Sequence, residues 1–313
     1  EDTYDMEEID FKNLVELISN EHVYKLRIIG TTYPVLKANV FPSKENFNNI
    51  KELNLDNTFG VYFEEIKDIF PNLTKLNDNR CLSEVTETDV FNYTHFKDLN
   101  NLEIKFTNKF APTVNIKFNG YLKLISVDRT TNKITIDPGS KIEEIIIDES
   151  DINELEYVKD ELPFLKIIKS SVKKIIGIEI FKNVELKRPS NLDELINNIF
   201  NKVINLKIIY YIARVYSTLL LKSFDKLKKI EINYSDILLK DIKKIKRPLI
   251  IEYHIKDDYL LEKMKDYIKF ETIGQVVLVL IGDKKVQDYY ELRIRELEKK
   301  DVNIRDKIIY DPE

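Results

Sequence analysis

The chain has 313 residues, 43% of them hydrophobic and 33% charged, with a net charge of −5. That length suits two ordinary domains or one elongated repeat domain, and the acidic balance argues against nucleic acid as the main ligand. No apolar run reaches the roughly 18 to 20 residues of a membrane span. The single cysteine, Cys81, allows no intramolecular disulfide, which fits a reducing compartment and leaves secretion open.

In chain order, Ile9 to Ile18 reads as an amphipathic helix, which makes 1–22 an N-terminal cap. A different pattern starts at Val23. In the stretch NIKELNLDNTFG, Ile50, Leu53 and Leu55 stand at spacings of three and then two. Neither a helix nor a plain strand repeats that way. The triplet recurs from Val23, Ile50, Leu73, Leu99, Leu122, Ile142, Leu162, Phe181, Val203, Leu227, Lys246 and Ile273, at separations of 19 to 27 residues. A period of that size means stacked repeats rather than one compact core.

Between the triplets, Leu192, Leu195, Ile196, Ile199, Phe200 and Val203 form one helical stripe after Ser190, a candidate N-cap. Ile237 to Ile245 and Tyr259 to Phe270 also read as helices, whereas Asp128 to Ser140 is too polar and too short for one. Val276 to Ile281 is apolar at successive positions, so both of its faces should be covered. Val286 to Lys299 is a charged helix that could fold over this end. Solenoid ends need such caps. The expected organisation is a solenoid over 23–283 and a capping helix with a tail over 284–313.

Three copies follow the pattern LxxLxLxx(N/C)xL most closely: IEEIIIDESDI from Ile142, LPFLKIIKSSV from Leu162 and LKKIEINYSDI from Leu227. Over roughly residues 20 to 283 the chain resembles the leucine-rich repeats. The resemblance implies an α/β solenoid, a horseshoe with about twelve short parallel strands on its concave face and mostly helical convex segments. It also implies a protein partner on the concave face. Where that family places Asn after the strand, this chain has Thr31, Thr58, Cys81, Thr107, Thr130, Ser150, Ser170 and Ser235. A buried hydroxyl ladder is therefore expected, with each hydroxyl bonded to backbone near the turn.

Nothing in the residue pattern points to catalysis, a metal or a cofactor. His22, His95 and His254 have no metal-ligand spacing, seven glycines supply no phosphate-binding loop, and acidic pairs such as Glu64–Glu65 and Glu143–Glu144 read as solvated surface. The position just after each strand gives Asn57, Arg80, Phe106, Arg129, Glu149, Lys169, Arg188, Tyr210, Tyr234 and Tyr253. With strands about 5 Å apart, Tyr210, Tyr234 and Tyr253 should form a column beside Ile209 and Asn233. A basic strip of Lys166, Lys169, Lys187, Arg188 and Lys207 runs into it. Tyr and Arg are enriched at protein interfaces. The expected function is a monomeric, non-catalytic module that binds a protein there, the alternative being an assembly protein that self-associates through its ends or convex loops.

Overall fold

The computed structural model describes residues 21–29, 47–56, 67–79, 90–106, 113–126, 130–209, 217–235, 237–240, 242–255, 258–267, 275–300 and 307–312. The chain divides into two compact units, 1–159 with 174–177 and 160–173 with 178–313. Each unit is a solenoid of stacked parallel strands.

In the first unit one ladder runs through β1 (Lys25–Ile29), β2 (Glu52–Asp56), β3 (Lys75–Asn79), β5 (Asn101–Phe106), β7 (Asn119–Ser126) and β9 (Lys141–Asp148), parallel throughout. Its register stacks Leu26, Leu53, Leu76, Leu102, Leu122 and Ile145 in one column. Leu55, Asp78, Ile104, Leu124 and Ile147 stack in the next, all buried. Burying one such aliphatic side chain contributes roughly 1.5–3 kcal/mol, so the triplets are the main source of stability. A second parallel ladder joins β4 (Val90–Asn92), β6 (Thr113–Lys117), β8 (Thr130–Ile136) and the first part of β10 (Asp151–Ile168).

That second ladder corrects the horseshoe expected from the leucine-rich-repeat resemblance. The described return segments of the first unit are strands at β4, β6, β8 and the first part of β10 and turns before them, and none is a helix. TVNIK in β6 and KITI in β8 alternate apolar and polar residues, a period-2 pattern that a strand satisfies and a helix does not. Asp128 to Ser140, too polar and too short for a helix, contains the whole of β8.

In the second unit the ladder is the last part of β11 (Ser171–Lys187), then β12 (Val203–Ile209), β14 (Lys229–Asn233), β16 (Leu249–Ile255), β17 (Val276–Gly282) and β18 (Ile308–Pro312). Its return segments are mixed. Helix α1 (Leu192–Ile199) lies where the stripe predicts it, but its N-cap is Asn191, whose Oδ1 accepts from the Glu194 N–H, not Ser190. Strand β15 (Ile237–Lys240) pairs with β13 (Ser217–Leu220) and leads to a 3-10 turn at Ile242–Lys244, which replaces the helix expected over 237–245. Helices α2 (Asp258–Tyr267) and α3 (Lys284–Glu298) match their stripes. Tyr290 of α3 donates to the Ile308 carbonyl and stacks on Tyr310, which covers part of the edge of β18. The helix expected at Ile9 to Ile18 lies outside the described residues.

Three triplets slip in register. Strand β7 pairs Leu102 with Leu122 and Ile104 with Leu124, so its triplet starts at Asn119, not Leu122. In β16 and β17 the core columns run through Ile251 and Tyr253, then Leu278 and Leu280. Both triplets therefore start two residues later than Lys246 and Ile273. In a run such as VVLVLI the apolar pattern fits two frames equally well, and only pairing with the next coil chooses between them.

Candidate functional site

The outward side chain between the two core positions of each triplet forms a column in the second unit. It reads Lys166, Glu185, Lys207, Glu231, Glu252 and Val279 along β10, β11, β12, β14, β16 and β17. From β10 to β14 the charges alternate and pair between coils: Lys166 Nζ lies 2.8 Å from Glu185 and Lys207 Nζ lies 2.6 Å from Glu231. Lys229, two residues before Glu231 on β14, reaches Glu252 at 2.7 Å. Two members of the strip read as basic, Lys166 and Lys207, are thus neutralised by acids that parallel pairing places in the same column. The motifs LKI, VEL, LKI and IEI show this in the sequence once the middle position is read as outward.

Glu231 is the hub of a tight cluster. Its Oε1 lies 2.6 Å from Lys207 Nζ, 3.0 Å from Asn233 Nδ2 and 3.5 Å from His254 Nε2. Burial alone would push the Glu231 carboxyl up. Hydrogen bonds from Lys207 and Asn233, with the charges of Lys207 and His254, outweigh that and hold it below the ordinary carboxylate range. A carboxyl with a lowered folded-state pKa stabilises the fold above its unfolded pKa of about 4.3 and loses that contribution as pH falls through the folded value. Glu231→Gln should therefore lower stability by a constant amount at neutral pH and by progressively less as pH drops below about 4.3. Denaturant unfolding of both proteins across that range checks it. A difference that does not shrink in acid would contradict this account.

The position after the strand carries a feature the sequence did not show. Glu149, Lys169, Arg188 and Tyr234 all adopt left-handed backbone conformations, with φ of 46, 47, 49 and 52°. In the second unit three of them stack through the backbone: the Lys169 N–H bonds to the Lys187 carbonyl, Arg188 to that of Ile209 and Tyr234 to that of His254. The next residue is a buried serine at three of the four turns. The Oγ atoms of Ser150, Ser170 and Ser235 donate to the carbonyls of Asp148, Ile168 and Asn233 at 2.6, 2.5 and 2.9 Å. Each hydroxyl thus closes its own turn, and that of Ser150 also reaches another coil, at the Leu124 carbonyl. Thr31, Thr58, Cys81 and Thr107 lie outside the described residues.

Comparison with protein-family models, with curated proteins and with solved structures found no match. The resemblance to leucine-rich repeats rests on the strand-and-turn pattern alone.

The predicted site residues divide as follows. Lys187, Ile209, Asn233 and His254 form one outward column across β11, β12, β14 and β16, and Lys169, Arg188 and Tyr234 flank it on the turns. Lys166 and Lys207 lie one column inward, paired with acids. Tyr253 does not join the face. It occupies a core position opposite Ile232, is 6% exposed, and its hydroxyl donates to the Ile237 carbonyl. The two-residue slip at β16 is the reason. Tyr210 lies outside the described residues, so of the expected tyrosine column the structure describes only Tyr234 on this face. Sequence reasoning missed Glu185, Glu231, Glu252 and His254. A groove of ≈250 Å³ runs over Phe164, Asn183, Asn205, Lys207 and Lys229, smaller than the roughly 300–1,000 Å³ of small-molecule pockets. Among the described residues no group of three His, Cys, Asp or Glu could hold a metal ion, and no helix is long and apolar enough to cross a membrane.

Proposed function

We propose that the chain is a non-catalytic protein-binding module. Its partner would sit on the turn row Lys169, Arg188 and Tyr234 and on the adjoining outward column of Lys187, Ile209 and Asn233. The left-handed row carries this reading. An L-residue in that conformation costs roughly 1–2 kcal/mol, which glycine largely avoids. The chain nevertheless keeps a lysine, an arginine and a tyrosine at stacked positions, and retained backbone strain concentrates at functional surfaces. Arginine and tyrosine are also the side chains that most often anchor protein interfaces.

The same geometry gives a test that separates binding from folding. Lys169→Gly and Arg188→Gly remove exposed side chains while relieving strain, so each should raise unfolding stability, by up to about 1 kcal/mol. The triple variant with Tyr234→Gly should stay folded and lose most of the proteins that the wild-type chain retains from a native lysate. Equal capture by wild type and a folded triple variant would refute the site. Reduced stability of Lys169→Gly would refute the strain argument.

A further inference from the structure

Four lysines on the strands of the second unit meet a carboxylate of a neighbouring coil. Lys166, Lys182, Lys207 and Lys229 lie 2.8, 2.6, 2.6 and 2.7 Å from Glu185, Glu161, Glu231 and Glu252. Lys187 stands in a column of a different kind. It continues through Ile209, Asn233, His254 and Ile281, and a carboxylate appears only at Asp311 in the last strand. At the usual strand spacing Asp311 is roughly 20–25 Å away from Lys187. In the adjoining column Glu185 is engaged by Lys166 and Glu231 by Lys207. The same place gathers cations. The Lys169 N–H bonds to the Lys187 carbonyl at 2.9 Å, and Arg188 follows Lys187 in the chain. Three cationic residues therefore meet where two coils touch. Lys169 and Arg188 are exposed, and Lys187, Ile209 and Tyr234 are half-buried.

We infer that this site takes an acidic segment of a partner protein, with carboxylates against Lys187 and Arg188 and an apolar side chain against Ile209 and Tyr234. The inference rests on the binding site proposed above and names the chemistry of its occupant. Charge complementarity carries it. Elsewhere on these strands the chain supplies its own carboxylate one coil away from each paired lysine. Beside Lys187 it supplies an isoleucine and then an asparagine, so the matching carboxylates come from the partner. An arginine fork holds a carboxylate by two parallel N–H···O bonds, which adds direction to the attraction. Ile209 and the Tyr234 ring make the surface partly apolar, which suits the mixed side chains of a peptide. The net charge of −5 repels a long uniform polyanion such as nucleic acid, so a short acidic stretch fits better. Complementary charge of this kind speeds encounter and fades as salt is added.

Fluorescence anisotropy of the full chain with a labelled peptide of glutamates interrupted by leucines tests the inference. The control is the same peptide with lysine for each glutamate. The wild type should bind the glutamate peptide about tenfold more tightly than the lysine peptide, and lose about tenfold in affinity from ~0.05 M to ~0.5 M salt. Lys187→Glu combined with Arg188→Glu should invert the preference, a gain of binding that unfolding cannot imitate. Should that variant fail to fold, the wild-type preference and its salt dependence decide the matter alone. A wild type that prefers neither peptide overturns the inference, as does a folded reversal variant that keeps the wild-type preference. Duplex DNA or an anionic lipid vesicle bound more tightly than the glutamate peptide also overturns it, because the site would then take charge alone. The two readings fail separately. No peptide preference, with capture still lost in the triple glycine variant, removes the acidic partner and leaves the site; unchanged capture by that variant removes the site and this inference with it.

Discussion

Gly120→Ala should cost about 3 kcal/mol or more, the sum of a forbidden backbone conformation and a clash that cannot relax. Gly120 has φ of +120°, outside the region that L side chains adopt, and a Cβ there would lie 2.4 Å from the Asn100 carbonyl oxygen. That oxygen is fixed because it accepts the Tyr121 N–H at 2.8 Å, and Gly120 sits where the β7–β9 register shifts by one residue. The extra residue is Glu143 on β9, and the shift brings Ile145 and Ile147 into step with Leu122 and Leu124 in the core. Gly139→Ala is the control. Its Cβ meets only a carboxylate oxygen of Asp137, on a side chain that can swing away, so the cost should stay within about 1 kcal/mol. Denaturant unfolding of the two variants gives the comparison. Equal costs would show that the bulge does not set the register.

This bulge also marks the boundary between what the sequence makes legible and what it hides. The stacked repeat is legible because each coil buries the same two aliphatic positions, and Leu53, Leu102, Ile145, Leu206 and Ile230 leave a rhythm that survives every substitution between them. Register is legible only where the flanks are polar. ELNLD admits one frame, whereas VVLVLI admits two and YLKLIS holds apolar residues at neighbouring offsets. Tyr253 was placed on the surface by such a slip, and the structure returns it to the core.

The return segments are harder to read because the family resemblance supplies helices for most of them. Where the local pattern had period 3.6, as at Leu192 to Ile199, the helix is there. Where it had period 2, as at Thr113–Lys117 and Thr130–Ile136, strands formed instead. The candidate surface shows the same limit. The cations were visible as a cluster, but their neutralising acids sit some twenty residues away in sequence and become neighbours only through parallel pairing, as Lys166 with Glu185 and Lys207 with Glu231. The left-handed turns left no glycine to announce them, because Lys169, Arg188 and Tyr234 hold a conformation usually given to glycine.

Tyr93→Phe should cost about 2 kcal/mol, the scale of leaving a buried carboxyl short of a hydrogen-bond donor. Asp78 occupies a core position of β3 that is Leu55 in the coil before and Ile104 in the coil after, and it is 2% exposed. A carboxyl in that column is tolerable only when donors compensate for the water it has lost. Tyr93, itself 1% exposed, donates its hydroxyl to Asp78 Oδ2 at 2.7 Å. Removing the hydroxyl leaves the carboxyl buried and without this donor. Removing both polar groups is a different matter, because matched apolar replacements of a buried pair are often neutral or stabilising. Adding Asp78→Leu to Tyr93→Phe should therefore recover at least half of the loss and continue the Leu55 column without a break. The double-mutant cycle isolates the pair's coupling from changes in packing around either residue. A Tyr93→Phe protein within about 0.5 kcal/mol of wild type would mean that the bond contributes nothing. A double variant less stable than Tyr93→Phe alone would mean that Asp78 is held by more than its tyrosine, and that the column tolerates the carboxyl for the sake of those other bonds.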